Sequence, residues 1–238
     1  MAMVAVADIL GFSSLIEQEP LSKIVDYYIE NFHNHLYSSI PDYLNLPESP
    51  THEQIVLKGL VGHAHFSDTV ILYSLEDTSW GHRAVILAAL RILAQQLNDP
   101  ALRFRIGISY GEFYCDPKKN IYVGKALIEA HKLEKKQNWC GAALTEIADT
   151  KIIDNDRQLL VSYDVPIKNG KTETHTVINW TCGKHDKIDK DNEWLFRKYI
   201  DYRDEAEAKA AEEKLHNTEQ FHAEVCKAYN CHGKKLKK

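Results

Sequence analysis

Apolar and polar positions along the chain follow two periods, and the period assigns most of the elements. Residues 3–8 (MVAVAD) are apolar for five positions and end on an acid, the pattern of a short buried strand that runs into a turn. Pro20 suits the first turn of a helix. Beyond it Ile24, Val25, Tyr28, Ile29, Phe32, Leu36 and Ile40 recur at helical spacing and predict a helix to about residue 41. The three prolines of PDYLNLPESP predict a loop. Residues 54–66 and 69–75 predict two antiparallel strands with a tight Ser67-Asp68 step between them. Thr78 or Ser79 can cap a helix through VILAALRILAQQL that stops near Asn98, ahead of Pro100. LRFRIGIS predicts a strand, and another ending at Tyr122 feeds a helix that opens at Gly124. Residues 158–164 and 172–181 predict a hairpin around Asn169-Gly170, read as a two-residue turn. From about Asp191 to Asn230 the chain is charged, alanine-rich and almost free of glycine and proline. That predicts a long terminal helix or helix pair, ahead of the basic tail GKKLKK.

The order β-α-β-β-α-β, then strand, helix and hairpin, predicts an α+β chain. Its core is a ferredoxin-like split βαβ layout, an antiparallel sheet with helices on one face. Composition narrows the function more than the fold. Hydrophobic residues make up 44 % and charged residues 26 %, and the formal charge is −5, so a nucleic-acid partner is not expected. No run approaches the roughly 18 to 20 apolar residues that a membrane span needs. MAMVAVADILGF has no basic leader and meets Asp8 at once, so a secretory signal is not expected. The five cysteines (115, 140, 182, 226 and 231) are irregularly spaced and read as reduced thiols, with the cytoplasm as the default location.

Two acids carry the candidate chemistry. Asp8 leaves a hydrophobic strand and Asp68 sits in the turn of a hydrophobic hairpin (HAHFSDTVILY), and an acid so placed is costly to bury unless paired or bound to a cation. Gly11, just after Asp8, lets main-chain N–H groups turn toward an anion. In a split βαβ sheet the first and third strands are neighbours, so two carboxylates at their ends could share a pair of Mg²⁺ or Mn²⁺ ions, the clamp of phosphoryl transfer. The bland alternative is that each Asp only caps a turn.

VADILGFSSL, HFSDTVILYS, RFRIGISYGEFY and YVGKALIEAHKLEKK resemble, in order and separation, four motifs of the class III nucleotide (adenylate/guanylate) cyclases. The resemblance covers residues 4 to about 136. It implies a cyclase-like catalytic domain over 1–185 with a helical C-terminal extension over 186–238. It further implies a site with two Mn²⁺ or Mg²⁺ ions on Asp8, Ile9 and Asp68, and phosphates held by Leu10, Gly11, Phe12 and Ser13. Ser67 departs from the glycine that normally precedes the second metal Asp. The family's purine-reading positions fall on Ala64 and Ile121, expected as buried side chains, which cannot make the polar contacts that select a purine. His63 and His65 flank Ala64, and His65 is a candidate to line the base pocket. The transition-state Asn and Arg fall on Ile128 and Lys132, four apart on one helix face. Lys132 keeps the positive charge but not the fork of Arg, and Ile128 keeps nothing of Asn. Arg105 is a candidate substitute, with Arg103, Lys135 and Lys136 nearby.

This combination is most similar to the pyrimidine cyclases of bacterial Pycsar antiphage systems. That resemblance implies conversion of UTP to cyclic UMP and pyrophosphate, a separate effector that responds to the cyclic nucleotide, and a head-to-tail homodimer with active sites at its interface. Cyclic CMP from CTP, a conventional adenylate or guanylate cyclase, and a catalytically dead dimerisation or nucleotide-sensing module are the alternatives. A zinc pair at His63 and His65, a metal knuckle at Cys226, Cys231 and His232, and membrane attraction by GKKLKK carry less weight than ordinary structural roles.

Overall fold

The computed structural model describes residues 1–34, 36, 40, 49, 58–95, 103–180 and 205–229. Its elements are β1 (Ala2–Ile9), α1 (Phe12–Gln18), α2 (Leu21–Tyr27) running into a π-helical turn (Tyr28–His33), β2 (Val61–Phe66), β3 (Thr69–Ser74), α3 (Ser79–Gln95) and β4 (Phe104–Gly111). There follow β5 (Tyr114–Asp116), β6 (Ile121–Val123), α4 (Lys125–Lys136), β7 (Ala142–Leu144), α5 (Glu146–Asp149), β8 (Leu160–Pro166), β9 (Thr172–Ile178) and α6 (Glu205–Tyr229). Seven strands form one sheet in the order β2-β3-β1-β4-β7-β9-β8, while β5 and β6 pair apart from it. The first four are antiparallel neighbours in the ferredoxin-like order, as the element order predicts. β7 joins β4 in parallel, so the full sheet is mixed.

Alternation along β1 sorts the layers. Met3, Ala5, Ala7 and Ile9 face a core filled by Phe12, Phe32 and the α3 residues Ala84, Val85, Ala88 and Ile92. Ala2 and Val4 face the other way, against Tyr73 and Ala126 of α4. The one-face expectation therefore holds for α1 to α3 and fails for α4. A parallel step from β4 to β7 needs a crossover, and α4 is that crossover, laid over the opposite face. Gly107 lets it lie close, because a Cβ there would strike the main chain of Ala130 and Glu134.

Three predicted boundaries move. The second strand begins at Val61 after a turn at Lys58 and Gly59, and residues 54–57 of its predicted range lie outside the described residues. The helix predicted from Pro20 is preceded by α1, which starts where the sequence suggested only a phosphate-binding turn. In the late hairpin Gly170 N–H donates to Ile167 C=O (3.0 Å), and Gly170 has φ +75°. Lys168-Asn169 are thus the central pair, with Gly170 following in the left-handed region. This is the three-residue hairpin loop and not the two-residue turn predicted.

The terminal helix is described over Glu205–Tyr229; residues 191–204, the 185/186 boundary, the GKKLKK tail, Cys182 and Cys231 lie outside the described residues. α6 packs on the seven-stranded sheet. Phe221 is fully buried among Trp139 (ring centroids 4.7 Å), Tyr163 (4.8 Å) and Trp180 (5.9 Å). Asn217 Nδ2 donates to Asn138 C=O (2.8 Å), and Cys140 N–H donates to Thr218 Oγ1 (2.9 Å). No helix among the described residues is long and apolar enough to cross a membrane.

Candidate active site

The pairing of β1 with β3 brings the two acids together. Asp8 lies opposite Thr69, and Ile9 N–H donates to Asp68 C=O (3.2 Å). Asp68 shares a two-residue turn with Ser67, whose φ of +55° is a conformation that favours glycine. The Tyr28 hydroxyl donates to the Ser67 carbonyl (2.8 Å) and ties the turn to the π-helical segment. Sequence reading gave Tyr28 only a packing role.

On its other side Asp8 lies opposite Arg105 of β4, and their side chains share the face covered by α4. Arg105 is 3 % exposed. Its Nε donates to Glu134 Oε1 (2.6 Å), one Nη to Gln137 C=O (3.2 Å) and the other to Asp8 Oδ2 (3.3 Å). Lys135 Nζ stands 3.8 Å from Asp8 Oδ2. Glu134 is fully buried, and among the described residues its Oε2 has no hydrogen-bond partner, only the Lys135 ammonium at 4.0 Å. Arg105, a candidate substitute for the transition-state pair, thus has its donors on two carboxylates and a carbonyl. Glu134 received no role from the sequence, although it stands inside YVGKALIEAHKLEKK.

Burial pushes the Asp8 carboxyl above the usual carboxylate range, and the nearby charges of Glu134 and Asp68 add to this against Lys135 and Arg105. Burial and the Asp68 charge likewise raise the Tyr28 phenol. The site thus holds more negative charge than its own cations offset, which favours a further cation. The donors available are carboxylate oxygens of Asp8 and Asp68 and, since the Ile9 side chain is a buried aliphatic, the Ile9 main-chain carbonyl. An all-oxygen set suits Mg²⁺ or Mn²⁺. Among the described residues no cluster of three or more His, Cys, Asp or Glu side chains is placed to hold a metal alone. Two carboxylates with the remainder supplied by water and substrate phosphate is the usual Mg²⁺ arrangement, so the residues fit.

The remaining predicted positions divide by face. Leu10 N–H donates to Arg103 C=O (2.8 Å) and is not available to a phosphate, which leaves Gly11 (φ +83°), Phe12 and Ser13 at the start of α1. Ala64 and Val6 flank Ile71 in register, so Ala64 is on the Asp8 face; it is partly exposed, not buried as expected. His65 is opposite Val70 on the other face, its ring edge-on to Phe32 at 6.3 Å. Burial and His33 lower its pKa. The period-two alternation that puts Ala64 on the Asp8 face thus puts His65 on the opposite one. Ile121 lies on the β5–β6 ribbon and is 39 % exposed, again not buried. Lys132 pairs with Glu129 (2.8 Å) and Ile128 is 54 % exposed, both on the solvent side of α4. The buried side of α4 (Ala126, Ala130, Leu133 and Glu134) is the one that faces the sheet. One chain does not bring Lys132 to its own Asp8.

No protein-family model and no curated protein matches the sequence. Solved structures do match. Adenylate cyclases from Trypanosoma brucei, in their monomeric state, align over 75 % of this chain and 89 % of theirs at 14 % identity, with a TM-score of 0.53. The catalytic core of a rhodopsin-guanylyl cyclase with converted specificity, in complex with ATPαS, aligns over 74 % of this chain and 94 % of its own at 14 % identity, with a TM-score of 0.52. These likenesses show the fold: a sheet with packed helices of the nucleotide-cyclase catalytic-domain type.

Proposed function

We propose that the chain is a two-metal nucleotide cyclase that takes a pyrimidine nucleoside triphosphate, UTP in preference to CTP, and releases the 3′,5′-cyclic monophosphate and pyrophosphate. The observation that carries this is the β1–β3 pairing, which sets Asp8 and Asp68 at adjoining strand ends, with Glu134 as a third carboxylate nearby. The fold shared with adenylate and guanylyl cyclases, one of them holding ATPαS, supports a nucleotide as the ligand.

The ribose 3′-oxygen forms a bond to the α-phosphorus, the bond from that phosphorus to the β-phosphate bridging oxygen breaks, and its electron pair leaves with pyrophosphate. The hydroxyl proton passes to solvent. Divalent ions on Asp8, Asp68 and the Ile9 carbonyl would supply a lowered pKa at that hydroxyl and offset the triphosphate charge. Arg105 and Lys135 orient the Asp8 carboxylate for this task. The N–H groups of Gly11 to Ser13 lie beside the phosphates. A second copy in a head-to-tail homodimer would supply Lys132, and the exposed Tyr114, Ile121, Val123 and Ile128 offer apolar surface for that contact. Ala64 and Ile121 give a purine no polar partner, which supports a pyrimidine. A role as an antiphage second-messenger source acting through a separate effector in the cytoplasm rests on the sequence resemblance.

Ile128 in the place of the transition-state Asn favours one other reading, a dead cyclase-like module. The test is incubation of the purified chain with each of the four triphosphates and Mn²⁺, with mass-spectrometric identification of the product. Cyclic UMP is expected, lost in Asp8→Asn and Asp68→Asn. Cyclic AMP as the main product ends the pyrimidine reading, and no product from any triphosphate leaves the module.

A further inference from the structure

The turn that carries Asp68 is held from outside its own hairpin. Phe66 and Thr69 pair in register, so Ser67 and Asp68 are the two central residues of the β2–β3 turn. Of the two only Ser67 has a positive φ (+55°), and those are the signs of a type II′ turn. Glycine is the residue that suits the first central position of that turn, since a Cβ there is crowded by main chain. Serine at this position gives the turn no local support. The competing two-residue turn, type I′, differs by a flip of the central peptide and takes positive φ at both positions.

The carbonyl of that central peptide belongs to Ser67, and it is the one that accepts from the Tyr28 hydroxyl (2.8 Å). A peptide unit is planar, so holding its oxygen constrains ψ of Ser67 and φ of Asp68 together. The Asp68 carbonyl is held in turn by Ile9 N–H of β1 (3.2 Å). Tyr28 stands where α2 gives way to the π-helical turn. Its ring packs on two buried rings, Phe12 (centroids 6.0 Å apart) and Phe32 (4.7 Å), which fix where the hydroxyl lies. Phe12 opens α1 directly after Gly11, so one side chain joins the start of α1 to the turn that bears the acid.

We propose that Tyr28 is a positioning residue for Asp68. Its hydroxyl pins the central peptide of the β2–β3 turn and so aims the Asp68 carboxylate at the cation it shares with Asp8. Without that hydrogen bond the peptide is free to flip, which carries Asp68 to a positive φ and re-aims its side chain. The hydroxyl thus does from a distance what a glycine at position 67 would do locally. The inference rests on the two-metal reading for the cation, while the lock on the turn does not.

The test is titration of the full chain with Mn²⁺, the free ion counted by electron paramagnetic resonance. Tyr28→Phe keeps the ring and its packing and removes only the hydroxyl. It is expected to weaken Mn²⁺ binding about fivefold, the loss of one hydrogen bond. Adding Ser67→Gly, which favours the same turn without the hydroxyl, is expected to restore most of the affinity, a rescue that a merely structural role for Tyr28 would not show. Binding unchanged in Tyr28→Phe, or weakened and not restored by Ser67→Gly, overturns the proposal. Metal-free NMR reads the turn directly: the Asp68 backbone chemical shifts, which report φ and ψ, are expected to move in Tyr28→Phe, and shifts that stay in place overturn the lock. Asp68→Asn separates the two readings. If it binds Mn²⁺ as tightly as the wild type, the two-metal reading falls, and the Asp68 shifts in Tyr28→Phe still decide whether Tyr28 sets the turn.

Discussion

Asp8 illustrates how far a single residue can be read. Its position at the end of an apolar run marks it as an acid that needs a counter-charge, and the structure supplies that counter-charge from Arg105. Arg105, a candidate from the sequence for the missing transition-state role, also has a structural tie that the sequence did not show. That tie is the buried contact with Glu134, 29 residues away. Arg105→Met should therefore destabilise the fold by about 3–5 kcal/mol in chemical denaturation, since it strands a fully buried Glu134 charge. Arg105→Met with Glu134→Leu should recover most of that loss. A double variant as unstable as the single one would mean that the Arg side chain acts through packing and not through its charge.

Elements were legible where period and length agreed, as in β1, α3 and the β2–β3 hairpin. α4 was legible as a helix, but its layer was not, because its buried stripe (Ala126, Ala130, Leu133 and Glu134) says only that one side packs. α6 gave a weaker signal still, a charged alanine-rich run whose few aromatics are widely spaced. Its docking depends on Phe221, enclosed by Trp139, Tyr163 and Trp180. Phe221→Ala should cost about 3–5 kcal/mol, measured as a shift of the denaturation midpoint, because the aromatic box cannot collapse onto the space left. A normal midpoint would show that the helix is not docked in solution.

At the scale of the molecule, ionisable ties join distant parts of the sheet. Burial pushes the Asp77 carboxyl up, but hydrogen bonds from the Tyr110 hydroxyl (2.9 Å) and His82 outweigh it and hold the carboxyl below its usual range. The hydrogen bond from Lys136 holds Glu173 low against burial, helped by His175. For a depressed carboxyl the native state binds protons less readily than the unfolded chain. The stability it contributes is present above the ordinary carboxylate range and is lost as pH falls through and below that range. Their contribution to the unfolding midpoint of the wild type should therefore fall as pH is lowered from neutrality through that range, modestly because both carboxyls are exposed. Asp77→Asn and Glu173→Gln should each flatten the fall while starting from a lower neutral midpoint. An unchanged slope in both would remove these two ties as contributors.

The local pattern by itself determined the strand–helix order, the ferredoxin-like core and the two acids, because each depends on residues within a few positions of one another. Turn chemistry and period carry that information along the chain. The tertiary structure alone decided which face α4 covers, that His65 and Ala64 part company, and that Arg105 belongs to Glu134 as much as to Asp8. Those outcomes turn on strand register and on partners tens of residues apart. Register follows from burying one whole face of the sheet at once, a condition that no short segment contains.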